Sequence, residues 1–147
     1  MLLNRTIIVA AVALMMSTSV LAKDWQVQML SFGKKGPMVF EPSFVQAQVG
    51  DTVTFVPTNP GHHVKSYLTP EGQTAWESKL NETYTVTLTE EGLQLYYCPP
   101  HLVMGMVGII QVGDPVNKAD LDAAYPEFRD KIAINPERVD AILSQIQ

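Results

Sequence analysis

From Trp25 onward, hydrophobic and polar positions alternate with a period of two. Trp25, Val27 and Met29 are separated by Gln26 and Gln28. Val53 and Phe55 alternate with Thr52 and Thr54, and Tyr84, Val86 and Leu88 with Thr83, Thr85 and Thr87. Successive side chains of an extended chain point to opposite faces, so each segment predicts a strand with one buried and one wet face. Further strands are predicted over 38–40, 44–49, 64–67, 93–98 and 107–112. Gly50-Asp51, Pro60-Gly61, Glu71-Gly72, Glu91-Gly92 and Gly113-Asp114-Pro115 punctuate them as turns. Short strands at this spacing predict a mainly β chain, a Greek-key sandwich or barrel.

The period changes near the C-terminus. Val139, Ile142, Leu143 and Ile146 recur at the spacing of one helix face, behind Asn135-Pro136-Glu137, which combines an N-cap residue, a Pro at the first helical position and an acid in the first turn. Asn117 is a candidate cap for an earlier helix carrying Leu121, Ala124 and Tyr125 and ending near Pro126. Two such short helices cannot bury a core alone, so the tail, about 117–147, is expected to dock on the sandwich rather than form a second domain.

The other end departs from the pattern as well. Arg5 precedes an apolar run over 6–16, and Val20-Leu21-Ala22 has the small residues of a leader cleavage site. Residues 1–22 therefore read as a secretory signal peptide that is removed, and 23–147 as a single domain without a membrane span. Removal of Arg5 leaves nine Lys and Arg against fifteen Asp and Glu, a net charge of −6 in place of −5. An acidic chain with no basic run argues against a nucleic-acid partner. Export also changes the meaning of the one cysteine. In an oxidising compartment a cysteine normally has a disulfide partner, and Cys98 has none in this chain.

That cysteine lies with the chain's three histidines in two short stretches, Gly61-His62-His63-Val64 and Cys98-Pro99-Pro100-His101-Leu102-Val103-Met104-Gly105-Met106. A thiolate, two imidazoles and a thioether are the ligands of a blue-copper site, trigonal His₂Cys with a weak axial Met. Sulfur favours Cu(I) and imidazole serves both oxidation states, so a compromise geometry needs little rearrangement on electron transfer. Cys98 ends a predicted strand, Pro99-Pro100 stiffens the exit, and His101 and Met106 return on a short loop closed by the next strand. The remaining ligand comes from the distant turn, where His62 and His63 compete. The same donors can also take zinc.

Several motifs extend the pattern: Met38-Val39-Phe40-Glu41-Pro42, Gly50-Asp51-Thr52-Val53-Thr54-Phe55, Gly61-His62 with Val64, and Ser78-Lys79-Leu80-Asn81-Glu82. With the Cys98–Met106 loop and the helical tail, they make the chain resemble the pseudoazurin family, small periplasmic blue-copper proteins with the cupredoxin fold. The resemblance spans the whole of 23–147 and implies a Greek-key β-sandwich with two short C-terminal helices. It implies His62, directly after Gly61, as the first ligand, beside Cys98, His101 and Met106, and excludes Met104 as the axial ligand. His63 stands where relatives carry an Asn that steadies the ligand loop, and Pro99 where they carry Thr or Ser. Pro60 and Tyr97 stand where many relatives carry Lys, leaving Lys34, Lys35, Lys65 and Lys79 for a weaker basic ring.

The family resemblance implies a periplasmic, monomeric carrier of single electrons. Its implied partners are a nitrite reductase, a nitrous-oxide reductase or a c-type cytochrome. They would dock on an apolar patch of Met38, Pro60, Pro100, Leu102 and Met104 around His101. Such a patch allows close approach and fast release, as weak redox encounters require. A copper enzyme would need a second, open metal site with its own histidines, and none remain. A periplasmic copper carrier or chaperone without redox role is the alternative that shares the ligands.

Overall fold

The computed structural model describes residues 21–147. The leader read over 1–22 lies outside the described residues but for its last two. Eight strands follow among the described residues: β1 (Asp24–Gly33), β2 (Gly36–Glu41), β3 (Phe44–Ala47), β4 (Thr52–Pro57), β5 (Lys65–Leu68), β6 (Tyr84–Thr87), β7 (Gly92–Tyr97) and β8 (Val107–Val112). They form two four-stranded sheets, ordered β2-β1-β4-β6 and β3-β8-β7-β5. β1 pairs in parallel with β4 and β3 with β8, and the remaining neighbours are antiparallel. The mainly β sandwich read from the alternation is what forms.

Alternation decides which side chains meet between the sheets. Val27 and Met29 of β1, Val53 and Phe55 of β4 and Val86 of β6 face Tyr96, Ile110 and Val112 of the other sheet in one buried cluster. Cys98 and Met106 belong to the same cluster. Phe40, Phe55, Trp76 and Tyr96 pack there with ring centroids 4.9–6.1 Å apart, and burying each large side chain contributes about 1.5–3 kcal/mol.

β7 and β8 do not follow the one-sided rule. β8 is buried along its whole length, and β7 up to Tyr97. Their outer residues Leu93, Leu95, Val107 and Ile109 pack under the tail, against Leu121, Phe128, Ile132, Val139 and Ile142. Two helices supply that cover, α1 (Lys118–Arg129) and α2 (Pro136–Leu143). The strand that leads into Cys98 is therefore sandwiched between a β-sheet and a helical layer, which gives it little freedom to shift.

Three details of the tail differ from expectation. α1 does not end near Pro126 but runs through it to Arg129. Proline inside a helix costs about 3 kcal/mol. Continuation buries Phe128 completely, with its ring 4.5 Å from that of Tyr67 and 6.1 Å from that of Tyr97, and brings Arg129 to Asp140 on α2 at 3.0 Å. Those contacts offset the break in the helix ladder. Asn117 precedes α1 but does not cap it. Its side chain is buried at the start of β7, where Oδ1 accepts from the Leu93 N–H at 2.6 Å and Nδ2 donates to the Leu93 carbonyl at 2.9 Å. Asn135 likewise precedes α2 without a side-chain cap, in the left-handed conformation.

Candidate metal centre

Cys98 follows β7 directly and stays on its ladder, because its N–H donates to the Met106 carbonyl at 3.0 Å. The chain then enters a 3₁₀ helix, Pro99–Met104, with the two prolines at its first positions, where a missing N–H costs nothing. His101 breaks the helical dihedrals, at φ −123°. Its N–H donates to the Cys98 carbonyl at 3.0 Å and its carbonyl accepts from Met106 at 3.3 Å. Gly105 ends the turn at φ +75°, a left-handed conformation that favours glycine. The loop thus closes on itself by backbone hydrogen bonds alone.

The tail also grips this loop from outside. The Val103 carbonyl accepts from the N–H groups of both Ala133 and Ile134, at 3.0 and 2.9 Å. A Cβ at Gly105 would lie 3.2 and 3.3 Å from the carbonyl oxygens of Asn135 and Ile134. The link between α1 and α2 therefore lies on the backbone that separates His101 from Met106.

The second stretch is held differently. Gly61 adopts φ +92° with open space around it, so its conformation rather than crowding calls for glycine. The segment after it is laced to residues 76–81. Asn81 accepts from the Gly61 N–H through Oδ1 at 2.6 Å and donates its own N–H to the His62 carbonyl at 2.9 Å. Ser78 Oγ accepts from the Val64 N–H at 3.0 Å, and the Ser78 N–H donates to the Val64 carbonyl at 2.8 Å. The Ser78–Glu82 motif thus builds the turn that carries His62.

These two stretches meet. The side-chain ligand atoms of His62, Cys98 and His101 lie within 4.8 Å of one another. The Cys98 Sγ is 3.9 Å from His62 Nδ1 and 3.5 Å from His101 Nδ1. His62, Cys98 and Met106 are buried and His101 is half-buried. His63 is also half-buried, and its ring does not join the cluster. The far nitrogen of His62, Nε2, is 3.1 Å from Ser31 Oγ on β1. With Nε2 donating to that hydroxyl, Nδ1 keeps its lone pair toward the sulfur.

Electrostatics favour metal over bare charge. Burial pushes the Cys98 thiol up to about 11, although the backbone N–H groups of His63 and His101 pull the other way. His101 titrates below its ordinary value because it is buried, and His62 does so from burial and then from His101 beside it. Both imidazoles are thus neutral near pH 7 and able to ligate, and the thiol would release its proton to solvent as its sulfur takes a metal. One thiol, two imidazoles and a nearby thioether, with no carboxylate among them, fit the soft set that copper takes.

A family model described as "Copper binding proteins, plastocyanin/azurin family" matches residues 27–113. The pseudoazurin of Paracoccus pantotrophus is 46% identical over 140 residues, 93% of each chain. The chain belongs to the pseudoazurins. The crystal structure of the pseudoazurin from Methylobacterium extorquens AM1 superposes with a TM-score of 0.72 at 33% identity, covering 84% of this chain and 99% of that one. The native pseudoazurin of Hyphomicrobium denitrificans gives 0.71 at 31% identity, covering 84% and 98%. Like other pseudoazurins, this chain is a blue-copper electron-transfer cupredoxin that carries one copper ion and interacts with redox partners.

Of three positioning residues, Ser31 has no signal in the pattern of the sequence. Ser31 is one polar residue in a strand, and its distance along the chain from His62 follows no motif spacing. Ser78 and Asn81 stood in a motif that marked the family, but only the structure shows what they hold.

Proposed function

We propose that the chain is a small periplasmic carrier of single electrons in which His62, Cys98, His101 and Met106 hold the copper ion, Met106 as the weak ligand. The leader is cut after Ala22, and residues 23–147 act as one monomeric domain. The copper ion supplies one-electron chemistry between Cu(I) and Cu(II). The protein's own residues keep the donors in one arrangement through that change. Ser31 orients His62, the N–H groups of His63 and His101 face the sulfur, and the sheet and tail clamp Cys98 and the loop from both sides.

One observation carries the reading of where partners dock: His101 is half-exposed while the other three proposed ligands are buried. Of the residues read as its docking patch, Pro60 and Pro100 are exposed and Met38, Leu102 and Met104 half-buried. Partners approach this apolar edge without stripping water from charges. Lys65 is tied to Glu77 at 3.0 Å, which leaves Lys34, Lys35 and Lys79 as the freer cations for steering. The partners are a nitrite reductase, a nitrous-oxide reductase or a c-type cytochrome, and the protein is a carrier rather than an enzyme, since His63 is the one histidine left beside His62 and His101, too few for a second, open metal site.

Leu102→Asp and Met104→Asp test the docking edge. Each places a charge where close contact excludes water. Electron transfer to a nitrite reductase should slow markedly, with the visible spectrum unchanged because neither residue is a ligand. Unchanged transfer rates in both variants would remove His101 as the exit edge.

A further inference from the structure

The start of β1 holds an arrangement that the metal centre does not use. Asp51, only 5% exposed at the foot of β4, receives three donors. Its Oδ1 accepts from the backbone nitrogen of Lys23 at 2.8 Å, and its Oδ2 from the Trp25 indole N–H and the Gln48 N–H, each at 3.0 Å. The Lys23 carbonyl in turn accepts from the Thr52 N–H at 2.9 Å. Lys23 itself is exposed, with its Nζ 3.3 Å from the centroid of the Trp25 ring. Burial pushes the Asp51 carboxyl up, but the three donors and the charge of Lys23 outweigh it and hold the group below the usual carboxylate range. The acid is therefore ionised at neutral pH.

A buried carboxylate is best compensated by a cation in hydrogen-bond contact. Of the three donors on Asp51, only the nitrogen of Lys23 can become one, and it does so when the chain begins there. We propose that Asp51 is a built socket for the mature N-terminus, which the Lys23 α-ammonium enters as an ion pair once the leader is removed. The proposal rests on the reading of 1–22 as a leader. Water hydrolyses the Ala22–Lys23 amide: the C–N bond breaks, the new carboxylate stays on Ala22, and Lys23 keeps the amine, which is protonated at neutral pH. The hydrogen bond from a neutral amide to the Asp51 carboxylate in the uncut chain becomes one from an ammonium at the same place. Processing thereby tightens the joint between β1 and β4, and β1 carries Ser31 toward its other end.

Few other charges compete at this joint. Asp24 is the next residue, and its carboxylate accepts from the Thr52 and Thr54 hydroxyls at 2.6 and 2.9 Å. The turn 48–50 carries no titratable group. On β6, which pairs with β4, Tyr84 stacks on Trp76. Glu90 and Glu91, beyond β6, lie against Gly72 and Gly113. The cation of Lys23 Nζ sits on the Trp25 ring and shares the acid electrostatically.

The test compares copper-loaded protein that begins at Lys23 with protein that begins at Ala22, each with and without Asp51→Asn. Titration of the N-terminal amine by NMR, and urea midpoints across pH, are the readouts. In the protein that begins at Lys23 the amine should titrate about one pH unit above the ordinary value of about 7.7–8.0. A group whose pKa is raised by folding stabilises fully below its unfolded value and ceases to do so above its folded one. The longer protein should therefore be less stable at pH 7, and the gap should close over roughly pH 8 to 10. Asp51→Asn should destabilise both, because an amide offers the three donors one oxygen and no charge, and should abolish the difference between them. An amine that titrates at its ordinary value overturns the socket, and decides the matter even if Asp51→Asn fails to fold. A difference between the two starts that survives Asp51→Asn overturns it too. The mass of the N-terminal peptide of exported protein checks the leader separately. A start other than Lys23 overturns the leader reading and the socket's use in the cell, whatever the engineered pair shows.

Discussion

The two stretches that meet at the metal centre are held in opposite ways. The loop from Cys98 to Met106 closes on itself through backbone hydrogen bonds from His101 to Cys98, Met106 to His101 and Cys98 to Met106. The turn at His62 makes almost nothing of its own. Its shape is imported from Asn81 and Ser78, and its ring is oriented by Ser31 from another strand. A self-closing loop has its donors at short, readable spacing. An imported turn does not, and its accuracy depends on three separate side chains being in place.

Damage to the two should therefore differ in kind, and the largest effect belongs to the loop. Cys98→Ser should abolish the intense visible band of the copper-loaded protein, because an alkoxide oxygen cannot supply the sulfur-to-copper charge transfer. A blue Cys98→Ser protein would break the ligand assignment outright. Next is the turn itself: His62→Ala should lose the blue site, whereas His63→Ala should keep it, because residue 63 presents its backbone N–H to the sulfur and its ring lies outside the cluster. Copper stoichiometry and the visible spectrum distinguish the two, and the reverse pattern would transfer the ligand to His63.

Smaller effects sharpen the contrast. Ser31→Ala leaves every donor in place but frees the His62 ring, and loss of such an outer partner typically costs about 10–100-fold in metal affinity. A competition titration with a copper chelator measures it. Unchanged affinity would show that the turn is set by its backbone alone. Smallest is the effect at Met106, the proposed weak ligand. Met106→Leu should keep copper and raise the reduction potential, since a donor that favours Cu(II) is lost. Met104→Leu should leave spectrum and potential nearly as they were. Voltammetry on the pair decides which methionine the loop presents.

How much of this was legible in the chain follows the same division. The alternation at Trp25, Val27 and Met29 and at Val53 and Phe55 was enough for the mainly β sandwich, because strand periodicity is a local property. The donor types at Cys98, His101 and Met106 pointed to copper, and the family match bears out both copper and the pseudoazurin resemblance. The end of α1 lies beyond the place that Pro126 predicts, because a proline rule is local and the burial of Phe128 is not. Asn117 looked like a cap for the same reason. Its partner at Leu93 lies across the fold, and a side-chain amide buried there gains two hydrogen bonds that a helix end exposed to water cannot match.

The amino-acid order by itself determined the strands, the two apolar helix faces, and the loop that keeps a thiol, an imidazole and a thioether within nine residues of chain. Only the tertiary structure decided that β7 and β8 are covered on both faces, that α1 runs through Pro126, and that Ser31 reaches His62. The physical reason is range. Periodicity and ligand spacing are set between neighbours in the chain, whereas burial and the pairing of a polar group depend on which distant segment the packing of two sheets and a helical layer brings beside it.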